Sequence, residues 1–172
     1  MAKIFKIFLF TLLAVCTKTY ALTIDEIKNN LVKESKTEVL YIQKKHLSAA
    51  KRILESNGYI IMTKNELFYV QKEPFEQCMV LSNDRILEII DGDISELTRE
   101  SNGEVFEISS ILMKIFSFQG NLGDYFSSDV KGDLKNWQVT LIPLDKTMKN
   151  IFSKILLKGD KELLKIEIYD TN

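Results

Sequence analysis

The chain has 172 residues, 45% of them hydrophobic and 27% charged. That is enough apolar material for one compact domain with its own core, and too even a mixture for a disordered or polytopic chain. With 23 basic and 24 acidic residues the net charge is -1, so no global field gathers nucleic acid or draws the protein onto anionic lipid.

The chain opens MAKIFKIFLFTLLAVCTKTYA, with Lys3 and Lys6, an apolar run from Ile7 to Cys16, and a polar stretch ending at Ala21. This is a secretory signal pattern. The apolar run is about half of the ~20 residues a membrane span needs. Cleavage after Ala21 is expected, which leaves 22–172 as a single periplasmic domain. A lipoprotein box at Leu13-Ala14-Val15-Cys16, with Cys16 lipidated, is the competing reading; Val15 opposes it, because a small residue belongs at that position. Once the signal is removed Cys78 is the sole cysteine, so no internal disulfide forms. Its neighbours Met79, Val80 and Leu81 mark a buried thiol rather than a nucleophile.

From Leu22 the apolar residues Ile24, Ile27, Leu31 and Val32 recur at helical spacing, and Thr23 with Glu26 forms a capping box. The period then changes to two: Val39 and Tyr41 share one side of KTEVLYIQKK, and Leu40 and Ile42 the other. Asn57-Gly58 reads as a turn, and YIIM, LFYVQ, CMVLS and RILEII follow as short strands, with Pro74 and Asp91-Gly92-Asp93 at corners. Such short connections predict an antiparallel meander. ISSILMKIFSF carries a helical stripe of Ile108, Ile111, Leu112, Ile115 and Phe116, stopped by Gly120, and NLGDYF is a second small amphipathic piece. Three strands close the chain, around Trp137, in NIFSKILLK and in ELLKIEIYD, with a hairpin turn at Gly159-Asp160. In the last of them Leu164, Ile166 and Ile168 are expected on one face, opposite Lys165 and Glu167. The implied sheet has one dry and one wet face.

Reactive chemistry is sparse. The single histidine, His46, stands in the polar stretch KKHLSAAKR, read as an exposed loop, and lacks a partner nucleophile. No HxxxH or CxxC spacing offers a metal site. Asp91 with Asp93 and Glu104 with Glu107 read as solvated polar corners rather than a glycosidase pair. Gly120-Asn121-Leu122-Gly123 lacks the lysine of a phosphate loop. The expectation is a protein without catalytic residues, cofactor or metal.

The order of these pieces resembles the periplasmic lipoprotein carriers, the LolA-like family. VLYIQKKHL is similar to that family's first strand through Tyr41 and Gln43. GYIIMTKNELFYVQKEP follows its pattern through Gly58, Lys64, Phe68 and Pro74, and VLSNDRILEI, GNLGDYF and NWQVTLIPLD resemble later segments. The resemblance implies an α+β fold, an incomplete, half-open antiparallel β-barrel with helices covering an apolar concave face. It implies a monomeric carrier that moves lipoprotein acyl chains or related lipids from inner to outer membrane, with an inner-membrane release complex and an outer-membrane acceptor as partners. The cavity candidates are Tyr41, Ile60, Met62, Phe68, Val70, Trp137, Val139 and Leu141. The lid candidates are Ile111, Leu112, Ile115 and Phe116. Lys64 is the lid-latch candidate, where the family commonly carries arginine followed by proline; lysine keeps the charge and loses the planar fork. Relatives usually continue beyond Asp170-Thr171-Asn172 into another strand, so an unpaired edge is expected there. The runner-up reading is a non-enzymatic envelope interaction module that uses an exposed sheet edge and carries no lipid.

Overall fold

The computed structural model of the protein describes residues 21–31, 36–47, 51–63, 65–82 and 84–171. The signal segment, Cys16 and Lys64 lie outside the described residues. Helix α1 (Ile24–Asn30) starts where the capping box places it: Thr23 accepts from the Glu26 amide while the Glu26 carboxylate takes the Thr23 amide. Six strands follow as a meander, β1 (Lys36–Leu47), β2 (Arg52–Thr63), β3 (Leu67–Glu73), β4 (Gln77–Leu81), β5 (Arg85–Ile90) and β6 (Asp93–Thr98). Helix α2 (Gly103–Phe116) and a short 3-10 helix (Leu122–Asp124) lead to β7 (Phe126–Asp133) and β8 (Asn136–Pro143). Helix α3 (Lys146–Ile151), β9 (Phe152–Gly159) and β10 (Leu163–Asp170) complete the chain.

All ten strands belong to one sheet, in the order β6-β5-β4-β3-β2-β1-β10-β9-β8-β7. Two antiparallel meanders meet at a parallel seam, where Leu40 to Lys44 of β1 run beside Lys165 to Tyr169 of β10. The strand expected to leave an unpaired edge is therefore central, and the edges are β6 and β7.

The expected α+β half-barrel with helices covering an apolar concave face is not what the chain adopts. Strands hold 56% and helices 21% of the described residues, and the sheet is mixed and open. The physical reason is one of reach. Ten strands at ~4.8 Å spacing span roughly 43 Å, whereas α2, with 14 residues, is about 21 Å long at 1.5 Å per residue. Helices α1 and α3 have only 7 and 6 residues.

Several local expectations also change. Asn57-Gly58 is not a turn; both lie inside β2, where Gly58 pairs with Tyr41. A Cβ there would strike the Val70 carbonyl oxygen, so the glycine serves close strand approach. His46 lies in β1, opposite Ile53, and not in a loop. Helix α2 begins at Gly103, so Glu104 and Glu107 are helical. In β10 a bulge between Leu163 and Lys165 buries Leu163 and leaves Leu164 51% exposed.

One apolar cluster runs through the fold. It joins Val39, Tyr41, Ile60 and Met62 from one meander to Trp137, Val139, Ile155, Leu157 and Ile166 from the other. From the helices, Ile27, Ile111, Ile115, Phe116 and Met148 belong to the same cluster, whereas the buried Phe106 of α2 does not. Trp137 is fully buried; its indole N–H donates to the Asp160 carbonyl at 2.6 Å, and Phe118 meets its ring edge-on. A Cβ at Gly159 would collide with the Trp137 ring and the Glu162 carbonyl. Gly159→Ala is therefore expected to cost about 1–3 kcal/mol through overpacking, seen as a lower urea midpoint with an unchanged slope; an unchanged midpoint would contradict this packing.

Candidate functional site

Alternation and register decide which candidates share a face. Tyr41 stands beside Ile166, Ile166 beside Leu157, and Leu157 beside Val139, so one dry face runs across the parallel seam. Ile60 and Met62 join it from β2. Tyr41, Ile60, Trp137, Val139 and Leu141 are at most 1% exposed and already in contact with protein atoms. Phe68 and Val70 do not join them: Ile60 pairs with Tyr69 and Ile61 with Phe68, which puts Phe68 and Val70 on the opposite face. Tyr69 and Leu67 are the β3 residues that touch the core. On α2, Ile111, Ile115 and Phe116 are buried and Leu112 is half-buried, all within the core cluster.

Among the described residues, two cavities border α2. The first, about 330 Å³, is lined by Arg99, Gly103, Glu107, Ser110, Ile111, Lys114 and Tyr125. The second, about 240 Å³, takes in Met62, Leu67, Met113, Ser117, Gln119 and the polar residues Thr63, Asn65 and Glu66. Both include Ser110 and Lys114. Of the twelve cavity and lid candidates they reach only Met62 and Ile111. Lys114 was missed at the level of sequence, because a lysine on a helix reads as solvent-facing until its neighbours are known.

A polar string crosses the dry face. The Tyr69 hydroxyl donates to Gln43 Oε1 at 2.6 Å, and Gln43 Nε2 donates to Asp170 Oδ2 at 2.8 Å. The rings of Tyr41 and Tyr69 lie 4.3 Å apart. The Tyr41 hydroxyl and Asp170 Oδ1 are buried and make no hydrogen bond with the described residues. Burial pushes the Asp170 carboxyl above its ordinary value, against the opposing pull of Gln43 and Lys45.

The opposite face changes character at the seam. A single cross-strand row reads Ile94, Ile89, Cys78, Val70, Tyr59 and Leu40, then Lys165, Lys158, Gln138 and Lys131. It is apolar over six strands and polar over four. At the ends of its apolar part Leu40 is 64% and Ile94 69% exposed. Burial raises the Cys78 thiol pKa, which makes it a poorer nucleophile.

Beside the row, Glu167 takes Lys158 at 3.0 Å, Lys165 at 3.2 Å and the Tyr169 hydroxyl at 2.8 Å. Burial works to raise its pKa, but the hydrogen bonds from Lys158, Tyr169 and Lys165 outweigh that and hold it at about 2. Among the described residues no cluster of three or more His, Cys, Asp or Glu is placed to hold a metal. No described helix is long and apolar enough to cross a membrane. The chain matches no family model and no curated protein.

The Glu167 cluster gives a signed pH dependence. Its folded pKa lies below the ordinary 4.5, so its contribution is present at neutral pH and disappears as pH falls from about 5 toward 2. Glu167→Gln is expected to lower stability by about 2–3 kcal/mol at neutral pH, with the gap closing at acid pH. Urea unfolding across pH measures it, and a gap that does not change with pH would contradict the assignment.

Proposed function

We propose that the protein is a non-catalytic carrier of acyl chains, belonging with the LolA-like lipoprotein carriers, that takes up a lipid or lipoprotein chain by displacing α2 from the dry face of the sheet. The observation that carries this reading is where the two cavities lie: both border α2, and they reach buried core residues at Ile111, Met62 and Leu67. The candidates deeper in the face are already filled against, so a guest replaces side chains of α2 rather than entering an existing void.

The energies make such an exchange reversible. Exposing the buried apolar side chains of α2, Phe106, Ile111, Ile115 and Phe116, forfeits on the order of 6–12 kcal/mol, at ~1.5–3 kcal/mol each. An acyl chain of about ten methylenes recovers roughly 8 kcal/mol, at ~0.8 kcal/mol each. Terms of like size allow both loading and release, as a carrier requires. The polar string Tyr69-Gln43-Asp170 gives the same face a few anchoring groups among apolar walls, the usual make-up of a small-molecule site.

A second reading, the envelope interaction module, is favoured by the apolar half of the opposite face, where Leu40 is 64% and Ile94 69% exposed. Exposed apolar surface of this kind marks interaction sites. The two readings separate on cargo. Native mass spectrometry of protein isolated from a periplasm is expected to show bound acyl species, and the delipidated chain to take up a fluorescent fatty acid saturably. A clean apo mass together with no uptake would defeat the carrier and leave the module.

A further inference from the structure

We infer that Asp170 is a proton-operated latch at the end of the parallel seam, holding β10 to β1 more firmly when its carboxyl is protonated than when it is charged. The latch belongs to the fold itself and needs no cargo.

Asp170 lies one residue beyond the seam pair of Lys44 with Tyr169, and at a register shift against β9, where it stands opposite Phe152. It is 9% exposed. Gln43 of β1 donates to its Oδ2 at 2.8 Å across the seam, and Tyr69 of β3 donates to Gln43 at 2.6 Å. One string thus ties β3 and β1 to a single carboxyl group of β10. The ring of Tyr41, itself 1% exposed, packs on that of Tyr69 with centroids 4.3 Å apart. The other carboxyl oxygen, Oδ1, is buried and makes no hydrogen bond with the described residues. A buried charged oxygen without a donor is costly. A proton on Oδ1 removes the charge and leaves Oδ2 to accept from Gln43.

The surrounding groups set the sign. From β1 the exposed Lys45 and the Gln43 bond favour the charged carboxyl, and burial outweighs both. The hydroxyls of Tyr41 on β1 and Tyr69 on β3 are held neutral by burial. On β9 the opposing residue is the uncharged Phe152. From α3 the contacts beside Asp170 are the Ile151 and Lys149 carbonyls, which Thr171 takes at 2.9 and 2.7 Å. The folded carboxyl therefore titrates above the ordinary 3.8. Its contribution to the fold is complete below that value and is lost as pH rises from about 4 through the folded pKa. Glu167 has the opposite sign, because its folded pKa is lowered, so the wild-type stability curve mixes the two and Asp170 has to be read on its own.

The test follows the Asp170 carboxyl carbon of the intact folded protein by NMR from about pH 3 to 8, with Asp170→Asn identifying the resonance. Its midpoint is expected above the ordinary carboxyl value, and Gln43→Ala and Lys45→Gln are each expected to raise it further, since each removes a group that favours the charge. Amide exchange, corrected for the intrinsic rate, then reads the latch. In the wild type, protection from Tyr169 to Thr171 is expected to fall as the carboxyl loses its proton; in Asp170→Asn, which keeps the shape and stays neutral, it is expected to remain level. A midpoint at or below the ordinary value, or one that Gln43→Ala does not raise, overturns the buried proton site. A raised midpoint with the same protection profile in wild type and variant overturns the latch. If Asp170→Asn fails to fold, wild-type protection that does not follow the carboxyl midpoint overturns it instead.

Discussion

The structure depends on the parallel pairing of β1 with β10. Each meander alone is an antiparallel sheet with two edges and half a dry face; the bonds from Leu40–Lys44 to Lys165–Tyr169 turn them into one ten-stranded sheet. Only then do Tyr41 and Ile166 stand side by side, and only then do Val39 and Ile60 share a core with Val139 and Leu157. The same seam divides the opposite face, with an apolar ladder toward β6 and lysines toward β7. Glu167 in β10, held between Lys158 of β9 and Lys165 of its own strand, secures the polar side of that border.

A sheet of this width cannot bury a whole face under short helices. What α2 does supply is a local plug, with Ile111, Ile115 and Phe116 in the core and a flank that borders both cavities. Its C-terminal exit is fixed where Phe118 meets Trp137. Its N-terminal half sits beside Arg99 and the first cavity. Its N-cap Asn102 is tied to the end of β6 by the hydrogen bond of its amide to the Thr98 carbonyl, so the two ends of the helix are anchored and its middle is held by apolar packing. The carrier function proposed for the chain uses that property rather than a preformed hole.

Much of the fold could be read from residue types alone. The Thr23–Glu26 box sets the start of α1, the alternation of Val39 and Tyr41 against Leu40 and Ile42 sets the faces of β1, and the Gly159-Asp160 turn separates β9 from β10. Alternation does not say which strand is the neighbour or in which direction it runs, so the parallel seam was invisible. Nor does it set register between strands: Phe68 and Val70 were expected beside Ile60, and a shift of one residue moved them to the other face. Helix α3 was missed because its six residues, held by Asp145 accepting from the Met148 amide, bury only Met148. The second cavity arises where α2 meets the ends of β2 and β3, and the first where it meets Arg99 and Tyr125, neither of which a local pattern records.

Native-state hydrogen exchange with and without an acyl ligand tests the central claim most directly. The account predicts that the amides of α2 exchange through an opening of lower free energy than those of β1 and β10, and that ligand changes protection in α2 and at Met62 and Leu67 while leaving the seam alone. If α2 exchanges only when the whole sheet unfolds, and ligand alters nothing there, the claim that this helix yields to a guest is wrong.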